Sequence, residues 1–175
     1  MQIISVINQK GGVGKTTTVI NLAAGLSQLN KKILVIDLDP QGNATTGLGL
    51  SNSDNSSDTI YGVLNGTKQI DEVIKKTEFE NLDIITSNVD LSGLEVETAE
   101  DSNRAFILKT QITAYLNNSS QSYDYVLVDC PPSLSLLTVM ALVSSNSLLV
   151  PLQTEFFALE GLTQLMKTIE RIKVS

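Results

Sequence analysis

A glycine-rich segment with two lysines is the first feature with recognisable chemistry. Residues 9–17 read QKGGVGKTT. The last three positions of the nucleotide-binding pattern G-x-x-x-x-G-K-[ST] are filled by Gly14, Lys15 and Thr16. Such a loop directs backbone N–H groups and a lysine at phosphate oxygens. Gln9 stands where the first glycine is expected, and Lys10 is a second lysine. The pattern therefore predicts a variant phosphate-binding loop in which Lys10 needs an explanation.

The segments on either side of this loop have the character that a phosphate site requires. Ile3 to Asn8 is an apolar, β-branched run typical of a buried parallel strand. Thr16 to Leu29 carries apolar residues at helical spacing, which predicts an amphipathic helix. The positive end of that helix would face the phosphates.

A carboxylate at the end of a later apolar run is a candidate metal ligand. The segment YDYVLVD predicts a strand that ends at Asp129, and two prolines follow Cys130. Magnesium, which accompanies ATP, prefers oxygen ligands and keeps several waters. The hydroxyl of Thr16 and the carboxylate of Asp129 are therefore the expected magnesium ligands.

Two further carboxylates, Asp37 and Asp39, follow the apolar run ILVI at positions i and i+2. If strand geometry persists, both lie on one face, with Asp37 near the metal and Asp39 nearer the terminal phosphate. An aspartate there can orient the attacking water. The alternative for Asp39 is an Asx turn before Pro40.

Composition limits the possible classes of function. The 175 residues suggest one domain, residues 1–175. The chain has no histidine and one cysteine, Cys130, which excludes Ser-His-Asp and Cys-His catalysis and the usual zinc sites. We expect Cys130 to be a small buried side chain. The net charge of -7 argues against a chain that acts as a whole as a basic nucleic-acid clamp, and no apolar run is long enough to span a membrane.

Strand-like and helix-like segments alternate along the chain. The sequence predicts strands at Ile3–Asn8, Ile33–Asp37, Leu82–Ser87, up to Asp129, and Ser147–Leu152. It predicts helices at Thr16–Leu29, Thr59–Leu64, Ile70–Lys76, Asn103–Leu116 and Leu134–Val143, and a last helix with Leu162, Leu165, Met166, Ile169 and Ile172 on its core face. This alternation predicts an α/β fold with a parallel sheet. Ligands of such sheets bind beyond the carboxyl ends of the strands, where the loops after the first, second and fourth strands would meet.

Four segments together resemble one family: KGGVGKTTT, DLDPQGNAT, YDYVLVDCPPSL and PLQTEFFALEGL. In this order they resemble the ParA/Soj chromosome and plasmid partitioning ATPases, which belong to the deviant Walker A group together with MinD. The resemblance implies a three-layer P-loop NTPase fold with a mostly parallel sheet and helices on both faces. Members of the family continue beyond the position of Ser175, so the chain is expected to be a fragment or a shortened member that lacks the C-terminal part.

The resemblance also implies roles for individual residues, with ATP/ADP and Mg²⁺ as cofactors. Lys10 would reach into the site of a partner subunit, Lys15 would contact the β and γ phosphates, and Asp39 would position the attacking water. Thr16 and Asp129 would hold magnesium, with Asp37 supporting the metal shell. The remaining nucleotide contacts would come from Gly11, Gly12, Val13, Gly14 and Thr17, and from Glu155 near the ribose.

The function implied by the resemblance is an ATP-dependent switch that hydrolyses ATP. An ATP-bound homodimer would bind nonspecific DNA in the full-length form, and a ParB-like centromere-binding protein would stimulate hydrolysis. The protein would be cytoplasmic and nucleoid-associated, with no membrane partner. The alternatives are a MinD-like membrane-associated positioning ATPase, a phosphoryl-transferring ligase and a nucleotide-binding scaffold without hydrolysis. An iron-sulfur reductase is excluded because it needs two bridging cysteines per subunit.

Overall fold

A computed structural model of the chain describes residues 1–51, 55–119, 122–154 and 158–174. These residues form the strands β1 (Gln2–Val6), β2 (Ile33–Asp37), β3 (Ile74–Lys76), β4 (Leu82–Ile85), β5 (Tyr125–Asp129) and β6 (Ser147–Leu149). The helices are α1 (Lys15–Gln28), α2 (Asn43–Gly47), α3 (Ile60–Leu64), α4 (Ile70–Val73), α5 (Leu94–Glu97), α6 (Ile107–Asn118), α7 (Leu136–Ser144) and α8 (Ala158–Val174). Short 3-10 helices occur at Ser56–Asp58, Val89–Gly93 and Arg104–Phe106.

The strands form one sheet in the order β3-β4-β2-β5-β1-β6. All neighbours are parallel except β3, which pairs antiparallel with β4. Every residue of β2 and β4 is buried, as expected for parallel strands covered on both faces. The carboxyl ends of the five parallel strands therefore meet at one edge of the sheet, which we call the carboxyl edge.

Two separate hydrophobic cores lie on the two faces of the sheet. On one face, Val19 and Ala23 of α1 and Ala44 of α2 pack with Val35 of β2 and Leu127 of β5. The core on the other face is formed by the opposite side of the strands and by α3, α4, α6 and α7. The side chains of successive strand residues alternate between these cores. The predicted three-layer architecture is confirmed.

Three predictions about secondary structure and burial are corrected. The helix predicted over Ile70–Lys76 ends at Val73, because Ile74–Lys76 instead pair with β4 as an edge strand. The loop predicted after β2 contains the short helix α2. In α8, Leu165 is buried as predicted, but Met166 is 49% exposed and does not belong to the core face.

The remaining predicted elements occur with small shifts at their ends, where assignments are least sharp. Cys130 directly follows β5 and is fully buried, as expected. No helix in the described residues is long and apolar enough to cross a membrane.

Candidate active site

A cleft of about 410 Å³ opens at the carboxyl edge of the sheet. It is bordered by the segments that follow β1, β2 and β5, the same three loops that the sequence predicts to meet. Its lining residues are Gly11, Gly12, Gly14, Lys15, Thr16, Thr17, Asp39, Asn43 and Pro132. Lys15 and Asp39, two of the predicted site residues, therefore line the same cleft.

The glycine loop leads directly into the N-terminus of α1. Gly12 and Gly14 have φ angles of 73° and 89°, a left-handed conformation that glycine adopts without steric cost. Gly14 is also the N-cap of α1, so the first N–H groups of this helix are presented at the cleft. A helix N-terminus carries partial positive charge, and the local structure is therefore suited to an anion such as a phosphate.

Lys15 is almost fully buried at the base of the cleft, with 7% of its surface exposed. Its Nζ donates a hydrogen bond of 3.2 Å to the carbonyl oxygen of Lys10. Burial lowers the pKa of Lys15, while the negative charges of Asp129 and Asp39 raise it. The ammonium group is thus bound to a backbone carbonyl of the loop and lies within the field of two carboxylates.

The segment after β6 holds the phosphate loop from its other side. The side-chain amide of Asn8 donates to the carbonyl of Pro151 (2.7 Å), and its carbonyl accepts from the N–H of Lys10 (3.0 Å). Gln153 donates to the carbonyl of Gly12 (3.2 Å). The backbone of Lys10 is therefore fixed, whereas its side chain lies exposed at the surface.

Asp129 ends β5 as a fully buried carboxylate. Neither of its oxygens has a hydrogen-bond partner in the described part of the chain. Burial raises the pKa of Asp129 to about 7, and the neighbouring charges of Asp37 and Asp39 add to the increase. The Thr16 hydroxyl lies close enough to lower this pKa without reaching hydrogen-bonding geometry, and the charge of Lys15 acts in the same direction. A buried carboxylate without donors is an unfavourable arrangement unless a cation completes it.

The two aspartates after β2 have different surroundings. Asp39 lines the cleft, is 6% exposed, and accepts a hydrogen bond from the N–H of Gln41 (3.0 Å). The Asx turn considered as an alternative is therefore formed, and it directs the same side chain toward the cleft. Asp37 is fully buried behind this turn, and burial raises its pKa to about 6. It accepts hydrogen bonds from Thr45 and from the N–H of Asp39.

Some lining residues were not identified from the sequence. Asn43 and Pro132 lie in the cleft wall but belong to the quoted segments DLDPQGNAT and YDYVLVDCPPSL, which is the signal that could have indicated them. Asn8, whose side chain accepts from the N–H of Lys10, precedes the glycine loop, and the sequence predicts it only as the end of a strand. The predicted ribose contact, Glu155, lies outside the described residues.

A second cleft, of about 460 Å³, lies between α4 and α6. It is lined by Gln69, Ile70, Asp71, Gln111, Ala114, Tyr115, Asn118 and Ser119. Among the described residues that line it, none is a lysine or an arginine, and Asp71 is the one carboxylate. Although it is slightly larger, its chemistry does not match the combination of lysine, glycine loop and acidic residues at the carboxyl edge.

Comparison with known proteins identifies close relatives along the whole chain. The AAA_31 family, described as an AAA domain, matches residues 1–175. The chromosome partitioning protein ParA of Caulobacter vibrioides is 47% identical over 175 residues, which are 100% of this chain and 64% of the relative. The sporulation initiation inhibitor protein Soj of Bacillus subtilis is 45% identical over 172 residues, 98% of this chain and 66% of the relative. The chain thus spans about two thirds of the length of these proteins or slightly less.

Solved structures agree with the architecture. Cobyrinic acid a,c-diamide synthase from Mycobacterium smegmatis, with bound ATP analog and magnesium, superposes with a TM-score of 0.90 at 34% identity, over 99% of this chain and 68% of that one. A putative plasmid partition protein from Borrelia burgdorferi, bound to AMPPNP, gives a TM-score of 0.83 at 32% identity, over 98% and 69%. The predicted P-loop NTPase fold is confirmed. The chain belongs to the AAA_31 family of AAA domains, and its resemblance to the ParA/Soj partitioning ATPases is borne out.

Proposed function

We propose that this chain is the nucleotide-binding part of an ATP-dependent switch of the ParA/Soj type, which hydrolyses ATP to ADP and phosphate. The observation that carries the proposal is the cleft at the carboxyl edge, where a left-handed glycine loop, the buried Lys15 and the acidic residues converge. Each part matches a need of a phosphoanhydride: N–H donors, a fixed positive charge, and oxygen ligands for its metal.

Mg²⁺ fits the residues present, since Asp129 offers two buried oxygens without donors beside the Thr16 hydroxyl. No group of three or more acidic or cysteine side chains able to hold a metal occurs in the described residues. Such a site suits an ion that takes only one or two protein ligands and keeps waters and phosphate oxygens for the rest. When bound, Mg²⁺ neutralises charge on the phosphates. Thr16 and Asp129 would hold it, with Asp37 behind them.

The hydrolytic step is assigned to residues that face the cleft. Lys15 would contact the β and γ phosphates and stabilise the charge on them, and Asp39 would orient the attacking water. Asp39 is suited to this because its backbone is fixed in a turn while its carboxylate borders the cleft. The side chain of Lys10 is exposed, which supports a role on the site of a second subunit rather than on its own.

A homodimer that forms across the carboxyl edge is supported by exposed apolar side chains there. Val89 follows β4, Leu134 follows β5 and Leu152 follows β6, and they are 68%, 39% and 47% exposed. Because these strands are parallel, all three residues lie at the edge that contains the cleft. A second copy placed against this edge would cover apolar surface and bring its Lys10 toward the nucleotide.

Nonspecific DNA and a ParB-like protein are proposed as partners of the whole protein, with a cytoplasmic, nucleoid-associated location. The relatives named for chromosome partitioning support this. The net charge of -7 supports a DNA contact that uses only a small part of this chain's surface, because a phosphate-tracking surface needs clustered basic residues.

A ligase acting on a small acceptor is a second candidate, favoured by the similarity to the cobyrinic acid synthase structure. It differs from a switch in one observable property, since its turnover of ATP would require the acceptor. A MinD-like function would instead require ATP-dependent binding to lipid vesicles. ATP turnover without an acceptor and without vesicles would favour the partitioning ATPase.

The decisive experiment is the solution mass of Asp39→Ala measured by light scattering, with ATP and Mg²⁺ and then with ADP. Loss of the water-positioning group is expected to trap a dimer with ATP only. Asp101→Ala is the matched control, because Asp101 makes the same side-chain bond to a backbone N–H two residues on, but lies exposed away from the cleft. A monomer in both states, with nucleotide binding measured directly, would contradict an ATP-dependent dimer.

A further inference from the structure

Thr45 of α2 makes a buried link between two strands that flank the site. Its Oγ1 donates to Oδ2 of Asp37 at 2.7 Å, and its N–H donates to the same oxygen at 2.7 Å. The same Oγ1 accepts from the N–H of Ser87 at 3.0 Å. The hydroxyl of Thr45 therefore uses both its donor and an acceptor position, one toward the residue that ends β2 and one toward the segment after β4.

This link lies where the sheet no longer supplies backbone pairing. The parallel ladder between β2 and β4 ends at the pair Ile36 and Ile85. Beyond it, Asp37 and Ser87 are joined through Thr45 instead. Asp37, Thr45 and Ser87 are all fully buried, each with an exposure of 0%. Water is thus not available to replace a lost bond.

The link continues to the residue that faces the cleft. Oδ1 of Asp37 accepts a hydrogen bond of 3.2 Å from the N–H of Asp39. Asp39 in turn lines the cleft, whereas Thr45 and Ser87 are not among its lining residues. One continuous chain of bonds therefore runs from Ser87 through Thr45 and Asp37 to the backbone of Asp39.

We propose that Thr45 is a positioning residue for Asp39, an inference that rests on the proposed function of Asp39 in hydrolysis. The role requires a side chain that both donates and accepts at this buried position. Serine retains both properties, and valine has the same shape with neither. Removal of the hydroxyl leaves the N–H of Ser87 without this acceptor and Oδ2 of Asp37 with one donor, so the carboxylate that accepts from the Asp39 N–H is held less firmly.

The expected effect is on the chemical step rather than on nucleotide binding. The hydrogen bonds of Thr45 go to Asp37 and Ser87 and not to the glycine loop, so we expect the affinity for ATP to stay close to the wild-type value. A displaced Asp39 orients water poorly, and a shift of about 1 Å in a catalytic group can cost about 100-fold in rate. We therefore expect Thr45→Val to lower kcat by about 10- to 100-fold at nearly unchanged affinity.

The test compares Thr45→Val, Thr45→Ser and the control Thr46→Val in two measurements. The first is ATP turnover at saturating ATP together with ATP affinity. The second is the backbone amide resonance of Asp39 in the nucleotide-free protein by NMR, which needs no activity. Thr46 is the matched control because it is the next residue of α2, is exposed, and its hydroxyl donates to carbonyls of its own turn.

The proposal predicts that Thr45→Val shifts the Asp39 amide and lowers kcat, that Thr45→Ser restores both, and that Thr46→Val changes neither. An unshifted Asp39 amide in folded Thr45→Val would overturn it, as would equal loss of kcat in Thr45→Ser. If Thr45→Val does not fold, Thr45→Ala takes its place, because alanine removes the same hydroxyl and puts no methyl group where the hydroxyl was. Absence of turnover in the wild-type protein would count against the proposed function alone, because the amide resonance still decides the role of Thr45.

Discussion

Asp37 and Asp129 lie directly opposite each other, in register, at the carboxyl ends of the adjacent strands β2 and β5. Both are fully buried, yet only one is satisfied. Asp37 accepts three hydrogen bonds, whereas Asp129 accepts none from the described residues. Burial raises the pKa of both carboxyls, to about 6 for Asp37 and about 7 for Asp129. The nucleotide-free fold therefore has a free-energy cost at this pair that a bound cation would relieve.

This cost predicts a pH dependence of stability. The ordinary pKa of an aspartate is 3.8, so above this pH the folded state retains protons that the unfolded state has released. The free energy of unfolding contributed by Asp129 then falls as pH rises from about 4 to about 7, by at most about 1.4 kcal/mol per pH unit. We expect Asp129→Asn to flatten this decline in urea unfolding between pH 5 and 8, without nucleotide.

The comparison for the pH prediction is Asp101→Asn, because Asp101 is exposed and should retain the wild-type slope. Addition of Mg²⁺ and ATP should stabilise the wild-type protein more at pH 8 than at pH 5, since the ionised carboxylate is the form that binds a cation. Equal slopes for Asp129→Asn and the wild type would show that Asp129 has no raised pKa.

Lys10→Ala should separate nucleotide binding from hydrolysis. The Lys10 side chain is exposed, so the affinity of a monomer for ATP is expected to change little. Turnover should fall by about 10³- to 10⁵-fold if Lys10 acts as a cationic finger across a dimer. Lys31→Ala, at another exposed lysine, should leave both quantities unchanged.

A role in trans makes a second, sharper prediction for mixtures. Lys10→Ala retains Asp39 and lacks the finger, whereas Asp39→Ala has the opposite defect. In a mixed dimer, the site of the Lys10→Ala subunit therefore combines its own Asp39 with the lysine that the Asp39→Ala subunit supplies. Mixing the two inactive variants should restore turnover, and continued inactivity of the mixture, with mixed dimers demonstrated, would place Lys10 in its own subunit's site.

Two glycines of the same region should respond in opposite ways to alanine. Gly14 has a φ of 89°, where a Cβ costs about 1–2 kcal/mol, and it lines the cleft. Gly25 lies exposed within α1, with open space for a Cβ, so Gly25→Ala should stabilise the protein by about 0.5–1 kcal/mol. We expect Gly14→Ala to lower both stability and ATP affinity, and Gly25→Ala to raise stability with unchanged affinity. Thermal unfolding and nucleotide titration measure both effects, and similar results for the two variants would contradict the strain at Gly14.

The features predicted correctly from the sequence are those whose signal is local. Apolar runs define the buried strands β1, β2, β4 and β5, and the glycine and lysine spacing defines the phosphate loop. The meeting of three loops also followed, because parallel strands place their carboxyl ends together. Asp39 and Lys15 reach one cleft for this reason.

The features that were missed depend on partners far away in the sequence. Ile74–Lys76 becomes a strand only because β4 offers an edge, so helix-like spacing misled the prediction. The partners of Asp37, which are Thr45 and through it Ser87, come from separate elements with no shared motif. Met166 followed helical spacing, but its exposure depends on which neighbours cover α8. No local pattern contains this information.

The opposite edge of the sheet provides a stability prediction that is independent of the nucleotide site. Asp83 is buried and accepts hydrogen bonds from the hydroxyl of Tyr123 (2.7 Å) and from Nζ of Lys76 (2.8 Å). Tyr123 precedes β5, so it lies at the amino end of the sheet, away from the cleft. Tyr123→Phe removes a donor to a buried carboxylate and should lower the free energy of unfolding by about 1.5–3 kcal/mol, with ATP affinity unchanged. In the matched variant Tyr61→Phe, the lost bond to Glu97 is exposed, and the expected change is below about 0.5 kcal/mol. Urea unfolding of both variants tests this prediction, and equal small changes would mean that Asp83 is adequately held without the Tyr123 hydroxyl.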